Sequence, residues 1–370
     1  MSSPNTLKLA SFNIRFSRPQ LEDPTNAWNK TNPNLDCERP WCERREGLVD
    51  QVIWEEPDIL GFQEVLNNQL DDLARLLGPS YGHAGVGRND GKTAGEAVPI
   101  FWRKDRVKLL SVQHFWLSEE PEVAGSVGWD AGLTRMATLA HFSFLSANDN
   151  HRDPTSDDAR VQYSHSRSAI EKESEDFFVL NTHYDHRCML QGIAARKHSS
   201  ELILAKLNQL MTDSSPGGAH NKLVVVLGDL NSPANEDGYR VLTGHRYVGT
   251  RLASASAQFP IASNAAITFL DSRHTLFRRG TTETVSATPT SNSLVLDAPF
   301  GEHFTYTGFS SNAQQTLVDY VLLADNGAIK CKERDRGLWH VTKYGVIPNH
   351  FGDGVWVSDH RMVTVTLSKG

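Results

Sequence analysis

Two separate stretches of this chain repeat one plan, a strand, a helix and a second strand, and this repetition limits the possible folds more than any other feature. The first stretch runs from Asn13 to Glu64, and the second runs from His183 to Asn231. Apolar residues recur at helical spacing inside both stretches, and the run 223–227 is continuously apolar, as in a central strand. We therefore expect an internally pseudo-symmetric α/β sandwich, with helices outside two packed sheets.

The rest of the chain is expected to be rich in strands and to belong to the same domain. β-branched and aromatic residues predict strands at 81–88, 98–103, 107–117 and 134–144. No linker divides the chain, so we expect a single domain over residues 1–370. Polar stretches without apolar periodicity predict surface excursions near residues 17–42, 146–175 and 276–300. A further, basic excursion is expected between the strand that ends at Leu323 and Trp356.

The composition is that of a globular protein, and the net charge of the chain indicates which partners it is able to bind. The 370 residues include 37 Lys and Arg against 44 Asp and Glu, which gives a formal net charge of −7. Proteins that bind long duplex nucleic acid usually present a basic surface, so this class of partner is disfavoured. The sequence shows no secretory signal and no apolar run long enough to span a bilayer. We therefore expect a cytoplasmic protein without membrane insertion.

Two properties stay open at the level of sequence. The four cysteines are too few to form a disulfide scaffold in a chain of this length. Cys37 and Cys42 are close enough in sequence to form a bridge, but two reduced thiols in a loop are the favoured interpretation. Nothing in the sequence predicts the oligomeric state.

Polar side chains cluster where the strong predicted strands end. Strand ends that share one edge of the sheets converge on a cleft, so these side chains are expected to lie together. Carboxylate oxygens suit a hard divalent cation such as Mg²⁺. Amides and imidazoles are able to hold phosphate oxygens, and a carboxylate is able to orient or deprotonate an attacking water. The residues concerned are Asn13, Glu64, His183, Asp229, Asn231, Asp319, Asp359 and His360.

Several of these residues also have a structural explanation when they are taken alone. Glu64 is then a solvated acid at a strand end, and Asp229 and Asn231 are turn residues. Asp319 is different, because it lies inside an apolar strand, where an unpaired carboxylate is costly. It needs a partner, and a histidine is the natural one. The joint occurrence of all these residues, in this order, favours a functional site.

Six short motifs contain these residues and follow one another along the chain. They are Ser-Phe-Asn13-Ile-Arg, Gly-Phe-Gln-Glu64, Leu-Asn-Thr-His183, Gly-Asp229-Leu-Asn231, Val-Asp319-Tyr and Ser-Asp359-His360. In this order they resemble the endonuclease/exonuclease/phosphatase superfamily, whose members include deoxyribonuclease I, abasic-site endonucleases, nocturnin-like deadenylases, neutral sphingomyelinases and inositol polyphosphate 5-phosphatases. The resemblance covers the chain from Asn13 to His360. It implies a four-layer α/β/β/α sandwich of the deoxyribonuclease I type, which agrees with the pattern above.

The resemblance implies a metal site and a group that activates water. Glu64 is expected to be the principal ligand of Mg²⁺ or Mn²⁺, and Asp359 is expected to lie close to the metal. Asn13 is expected to contact the metal shell or the phosphate. Asp229 is expected to align or deprotonate the nucleophilic water, and Asn231 to hold that carboxylate and the phosphate.

The resemblance also implies two histidines that contact the phosphate. His360 is expected to contact the scissile phosphate, with Asp319 as its carboxylate partner. His183 is expected to be the second phosphate-binding histidine, and Glu96 lies where some members place the acid that pairs with it. The predicted substrate-binding residues are completed by Arg135 and Tyr184.

The sequence leaves three classes of function open. The leading one is a phosphodiesterase or exonuclease that acts on single-stranded RNA ends or small nucleotides, since the chain looks nearest to nocturnin-like deadenylases and uncharacterised microbial members. The second is a phosphomonoesterase for a sugar phosphate or another small metabolite, which would leave polymers intact. The third is a catalytically silent binding module, and the intact set of polar residues argues against it.

Overall fold

The structure is a computed structural model that describes residues 5–17, 38–145, 175–187, 191–213, 222–244, 267–275, 300–310, 312–329 and 337–370. The polar excursions expected near residues 17–42, 146–175 and 276–300 lie mostly outside these ranges, and so does Cys37. Within the described ranges, none of the helices combines the length and the apolar character needed to cross a bilayer.

The described strands form two mixed sheets of six strands each. The first sheet contains β1 (Thr6–Asn13), β2 (Ile59–Gln63), β3 (Tyr81–Ala84), β4 (Ile100–Arg103), β11 (Trp339–Val346) and β12 (Val363–Lys369), in the order β11-β12-β1-β2-β4-β3. The second contains β5 (Val107–Trp116), β6 (Met136–Phe144), β7 (Asp176–His183), β8 (Leu223–Asp229), β9 (Phe269–Asp271) and β10 (Asp319–Ala324), in the order β5-β6-β7-β8-β10-β9. The described helices are α1 (Trp41–Glu55), α2 (Asn67–Leu77), α3 (Ile193–Asp213) and α4 (Asp237–Leu242).

Each sheet contains a parallel pair of neighbouring strands that a helix connects. β1 is parallel to β2 across α1, and β7 is parallel to β8 across α3. These two units confirm the strand–helix–strand repeats that the sequence predicts. Because parallel strands end at the same edge of a sheet, the polar residues at the ends of each pair lie near one another.

Apolar side chains form three separate core layers, which establish the four-layer arrangement. Leu9 of β1 and Val225 of β8 lie in the core between the two sheets. Val52 of α1 and Leu73 of α2 lie in a second core on the outer face of the first sheet. Leu207 of α3 lies in a third core on the outer face of the second sheet. Each such side chain contributes about 1.5–3 kcal/mol when it is fully buried. The predicted α/β/β/α sandwich is therefore confirmed.

The buried Arg44 of α1 connects this helix to two of the segments that carry the motifs. It is 1% exposed, and its Nη1 donates to the main-chain oxygens of Ile14 at 3.0 Å and Val357 at 2.7 Å. These two carbonyls belong to the residues next to Asn13 and Ser358. In addition, Oγ of Ser358 donates to the main-chain oxygen of Asn13 at 2.7 Å. The start and the end of the chain are thus held together at the site.

The prediction of a basic excursion between Leu323 and Trp356 is wrong in part, because this segment contains the strand β11. β11 pairs antiparallel with β12, and the register shifts between Val341 and Lys343. The shift breaks the alternation that would have identified the strand. Core-facing residues are Trp339 and Val341 before the shift, and Tyr344 and Val346 after it. β9 and α4 were also missed, since at 3 and 6 residues they are too short to show a period.

Candidate active site

The strand ends of the second sheet place three predicted site residues on adjacent strands. His183 ends β7 and is in register with Asp229, which ends β8. Asp229 in turn is opposite Asp319, the first residue of β10. Residues that are opposite one another on neighbouring strands present their side chains to the same face of the sheet. The register alone therefore brings these three side chains together.

Asn13 connects the two sheets at this edge. Its Nδ2 donates to Oε1 of Glu64 at 3.1 Å and to Oδ2 of Asp229 at 3.0 Å. Its Oδ1 accepts a hydrogen bond of 3.0 Å from the main-chain nitrogen of Arg15. Asn13 ends β1, Glu64 follows the parallel strand β2, and Asp229 ends β8. One amide therefore holds carboxylates from both sheets.

Arg15 lies between the carboxylates of Glu64 and Asp359. Its Nη1 is 3.8 Å from Oε2 of Glu64 and 3.8 Å from Oδ2 of Asp359, which is too far for hydrogen bonds. Its Nε donates to Oε1 of Glu38 at 3.1 Å. Burial raises the pKa of Glu64, but Arg15 and the amide of Asn13 outweigh it and lower that pKa below its usual value. Glu64 is therefore ionised at neutral pH.

Three residues of this site have a left-handed backbone. The φ angles are 59° for Arg15, 62° for Glu64 and 43° for Asn231. Such conformations cost about 1–3 kcal/mol each in residues other than glycine, and they persist where the surrounding structure fixes them. At Asn231, the fixing contact is a hydrogen bond of 2.8 Å from its main-chain nitrogen to Oδ1 of Asp229.

Asp319 and His360 form a buried pair, as the resemblance implies. Nδ1 of His360 donates to Oδ2 of Asp319 at 2.8 Å. Burial lowers the pKa of His360, but the carboxylates of Asp319 and Asp229 outweigh it and raise that pKa to about 10. His360 is therefore protonated at neutral pH, and its Nε2 lies 3.7 Å from Oδ2 of Asp229.

Asp229 lies at the centre of the site. It is 1% exposed, and burial, together with the charge of Asp319, raises its pKa to about 7. Its Oδ2 lies 3.5 Å from Nε2 of His183, in addition to the contact with Asn13. A carboxylate with a pKa near neutrality is suited to take up a proton and release it again.

Two sets of side chains are candidates for holding a divalent cation. Glu64 and Asp359 converge on one guanidinium nitrogen, and carboxylate oxygens are the ligands that Mg²⁺ and Mn²⁺ favour. Asp229, Asp319 and His360 offer ligand atoms that all lie within 4.8 Å of one another. In this second set, however, Nδ1 of His360 and Oδ2 of Asp319 are already hydrogen-bonded to each other, whereas the guanidinium of Arg15 is too far from Glu64 and Asp359 for hydrogen bonds. The first set therefore fits a dication better.

His183 has a different partner from the one that the resemblance implies. Nδ1 of His183 contacts Nη1 of Arg135 at 3.0 Å, and Nη2 of Arg135 contacts Nδ1 of His186 at 2.9 Å. Glu96 instead accepts two hydrogen bonds, of 2.7 and 2.9 Å, from Arg88. The expected pairing of Glu96 with His183 is wrong, because each has an arginine as its partner. Burial, and then the charges of Arg135 and Arg88, lower the pKa of His183 well below its usual value.

The structure does not bring Tyr184 into the cleft. Its side chain is fully buried among the residues that pack under α3, and its hydroxyl is 2.9 Å from Oγ of Ser200. Adjacent residues of an extended chain face opposite sides, so His183 faces the site and Tyr184 faces the core. The expectation that the Tyr184 side chain belongs to the substrate-binding residues is therefore corrected. Only its main-chain oxygen reaches the site, where it accepts from Nδ2 of Asn231 at 3.2 Å.

Sequence reasoning did not assign a role to several residues of this site. Arg15 and Ser358 lie inside the quoted motifs, two residues after Asn13 and one before Asp359, so their positions were the available signal. Arg44 and His186 lie outside the motifs, and no pattern in the sequence singles them out. Their roles depend on contacts with segments that are distant in the chain.

A cleft of about 350 Å³ opens beside the carboxylates. Its walls combine ionised, neutral polar and apolar groups, and Leu133 at its edge is 42% exposed. The lining residues are Arg15, Phe16, Glu64, Glu96, Leu133, Arg135, His183 and His186. The site thus joins paired carboxylates, two histidines of unlike charge and a small open volume.

Comparison with known proteins agrees with this arrangement. Residues 10–360 match the Endonuclease/Exonuclease/phosphatase family. No curated protein matches the chain by sequence. A family protein from Bacteroides thetaiotaomicron has a similar structure, with a TM-score of 0.64 and 22% identity over 99% of this chain and 95% of that one. A mannosyl-6-phosphatase from Bacteroides thetaiotaomicron gives 0.63 and 22% over 98% and 99%, and the human Nocturnin catalytic domain gives 0.54 and 14% over 99% and 95%. At these identities, the likeness shows a common fold.

Proposed function

Because this chain belongs to the endonuclease/exonuclease/phosphatase family, we propose that its site hydrolyses phosphoester bonds with Mg²⁺ or Mn²⁺, by in-line attack of water on phosphorus. The observation that carries this proposal is the position of Asp229. Asn13 and the main chain of Asn231 orient its carboxylate, and two histidines lie within 3.7 Å of it. A carboxylate so placed is able to accept the proton of a water next to a bound phosphoryl group.

His360 supplies positive charge on the other side of Asp229. Its ring is held by Asp319 and is protonated at neutral pH, so Nε2–H is available to a phosphoryl oxygen. A fixed donor that meets the charge growing on that oxygen lowers the barrier without rearranging. In this account, Asp229 accepts the proton of the attacking water while the new P–O bond forms, and His360 stabilises the negative charge. The P–O bond to the ester oxygen then breaks, and the leaving alcohol takes its proton from solvent water.

Glu64 and Asp359 would hold the cation, with Asn13 beside it. A bound cation of this type polarises the phosphoryl oxygens and lowers the pKa of its water ligands. The chelator EDTA is therefore expected to abolish hydrolysis.

The cleft favours a compact substrate. A volume of about 350 Å³ is at the lower end of the range for small-molecule sites. Both arginines that line it within the described ranges are already bonded, Arg15 to Glu38 and Arg135 to His183 and His186. The cleft therefore has no series of unpaired cations, among the described residues that line it, to bind the successive phosphates of a nucleic acid. The net charge of −7 also disfavours such a polymer. We therefore propose a phosphomonoester of a small metabolite, such as a sugar phosphate. The mannosyl-6-phosphatase that shares the fold acts on that kind of compound.

One observation supports a second candidate, hydrolysis of RNA ends or small nucleotides. Phe16 lines the cleft and is only half-buried, and the guanidinium carbon of Arg15 lies 4.6 Å from the centre of its ring. A base is able to stack on such a ring. This is the activity that the sequence alone placed first.

Phosphate release from a panel of esters distinguishes these candidates. The panel contains p-nitrophenyl phosphate, hexose phosphates, AMP, bis-p-nitrophenyl phosphate and poly(A), each with Mg²⁺, with Mn²⁺ and with EDTA. Hydrolysis of the monoesters alone, abolished by EDTA, is the expected result. Cleavage of the diester or shortening of poly(A) would establish the second candidate instead. Hydrolysis that persists in EDTA, or no hydrolysis of any ester, would overturn the proposed function.

A further inference from the structure

Two histidines beside the cleft share one buried arginine. Arg135 is 4% exposed and directly precedes β6. β6 pairs with β7, and β7 ends at His183. Its two terminal nitrogens lie 3.0 Å from Nδ1 of His183 and 2.9 Å from Nδ1 of His186. Sequence reasoning treated Arg135 as a phosphate contact, and the structure shows it bonded to the histidines instead.

The chemistry of these two contacts fixes where the histidine protons are. A guanidinium carries five N–H donors and no acceptor, and it does not lose its proton in proteins. Nδ1 of each ring must therefore accept, which leaves the ring proton on Nε2. We infer that Arg135 is a positioning residue that holds both His183 and His186 with a bare Nδ1 and a protonated Nε2.

This assignment also decides the hydrogen bonds on the other side of His183. Nδ2 of Asn231 lies 3.1 Å from Nε2 of His183, and two donors cannot bond to each other. Nδ2 of Asn231 therefore donates to the main-chain oxygen of Tyr184, 3.2 Å away. Nε2–H of His183 is left to face Oδ2 of Asp229, at 3.5 Å, beside the place that the attacking water and the phosphoryl group would occupy.

The two histidines that flank Asp229 thus use Nδ1 in opposite ways. Nδ1 of His360 donates to the carboxylate of Asp319, whereas Nδ1 of His183 accepts from Arg135. Both rings nevertheless present Nε2–H to Asp229. His186 lines the cleft and is exposed, so its Nε2–H is available there. By donating to Nδ1 of His183 and of His186, Arg135 selects in both rings the tautomer whose Nε2–H is a hydrogen-bond donor.

Arg88 provides a matched control for Arg135. It is 8% exposed and lines the same small cavity as Arg135 and His183, but its hydrogen bonds go to Glu96. Loss of either arginine removes a buried guanidinium from this wall. Only the loss of Arg135 removes the donor to the histidine rings.

The test is the ring nitrogen spectrum of protein labelled with ¹⁵N-histidine, without substrate. His183→Gln and His186→Gln assign the two rings. We expect both rings of the wild type to show a protonated Nε2 and a bare Nδ1. In Arg135→Met, the exposed ring of His186 should give shifts averaged between the two tautomers, while Arg88→Met should keep the wild-type pattern.

A protonated Nδ1 on either ring of the wild type would overturn the inference, and this result needs no variant to fold. An Arg135→Met spectrum that matches the wild type at both rings would also overturn it. So would the same averaging in Arg88→Met, since the effect would then belong to any lost guanidinium.

A kinetic measurement connects this role to the reaction, and that part rests on the proposed function. Loss of a residue that orients a metal-ligating histidine typically costs about 10- to 100-fold in affinity or activity, and we take the same range for Arg135. Arg135→Met is expected to lower kcat for p-nitrophenyl phosphate by that factor with little change in KM. An unchanged kcat would refute the positioning role in the reaction. If the wild type hydrolyses no ester, the proposed function fails, whereas the spectra still decide the tautomers.

Discussion

The amide of Asn13, at the end of β1, donates a hydrogen bond of 3.0 Å to Oδ2 of Asp229, at the end of β8. The same nitrogen donates to Glu64 at 3.1 Å. The side chain of Asn13 therefore holds Asp229, which we assign to the activation of water, next to Glu64, which we assign to the binding of the cation.

Replacement of this amide tests the alignment. Asn13→Ala leaves Glu64 and Asp229 without their shared donor, and loss of one such donor at a reacting centre costs about 10²- to 10³-fold in kcat. Initial rates with p-nitrophenyl phosphate measure the effect. Asn67→Ala on the exposed surface of α2 is the control and should keep the wild-type rate. An Asn13→Ala enzyme with the wild-type kcat would contradict the assignment.

The two sheets also approach closely at Gly61. A methyl group at this position of β2 would lie 2.7 Å from the side chain of Asn181 in β7. Asn181 is not free to move, because its Nδ2 donates to the main-chain oxygens of Phe62 at 2.7 Å and Pro99 at 2.9 Å. Gly61→Ala should therefore lower the free energy of unfolding by about 1–3 kcal/mol, measured with urea.

The control for this variant is Gly352→Ala. An added methyl group at Gly352 would have no neighbour within 4 Å, so its free energy of unfolding should match the wild type. Equal stability of the two alanine variants would show that the close approach at Gly61 is not a constraint.

Arg44 is expected to stabilise the fold as well as the site. Arg44→Met leaves the buried carbonyls of Ile14 and Val357 without a donor, and each unsatisfied group of this kind costs about 1–3 kcal/mol. Thermal unfolding of Arg44→Met should therefore occur well below that of Arg39→Met, whose side chain is 56% exposed. Equal unfolding temperatures of the two variants would show that the hydrogen bonds from Arg44 to Ile14 and Val357 do not stabilise the fold.

The sequence was informative where strand order alone determines position. His183 and Asp229 end two parallel strands, so a strand–helix–strand pattern was enough to place them together. The sequence did not predict which side chains pair with the buried charged groups. Whether His183 meets Glu96 or Arg135 depends on which of two side chains on neighbouring segments reaches it, and the linear spacing of the residues does not contain that distance. The orientation of Tyr184 was accessible in principle, since strand alternation places it opposite His183.

The pair of His360 and Asp319 makes the stability of the protein depend on pH. Folding raises the pKa of His360 from 6.5 to about 10, so the folded protein binds this proton more tightly. The resulting stabilisation is fully present below pH 6.5 and is lost as the pH rises through about 10. The difference in Tm between the wild type and His360→Gln, measured in EDTA, should therefore shrink across this interval. A difference that stays constant or grows with pH would contradict the charge assigned to His360.

The central claim is that Asp229 accepts the proton of the attacking water, and Asp229→Asn tests it most directly. The neutral amide keeps the shape of the side chain, but both oxygens of Asp229 accept hydrogen bonds, so the new NH2 group faces a donor and some loss of stability is expected. Its kcat for a phosphomonoester at saturating Mn²⁺ is the decisive measurement. The account predicts a loss of at least about 10²-fold in a protein that still unfolds in one cooperative transition. A folded Asp229→Asn protein that keeps the wild-type kcat would contradict it.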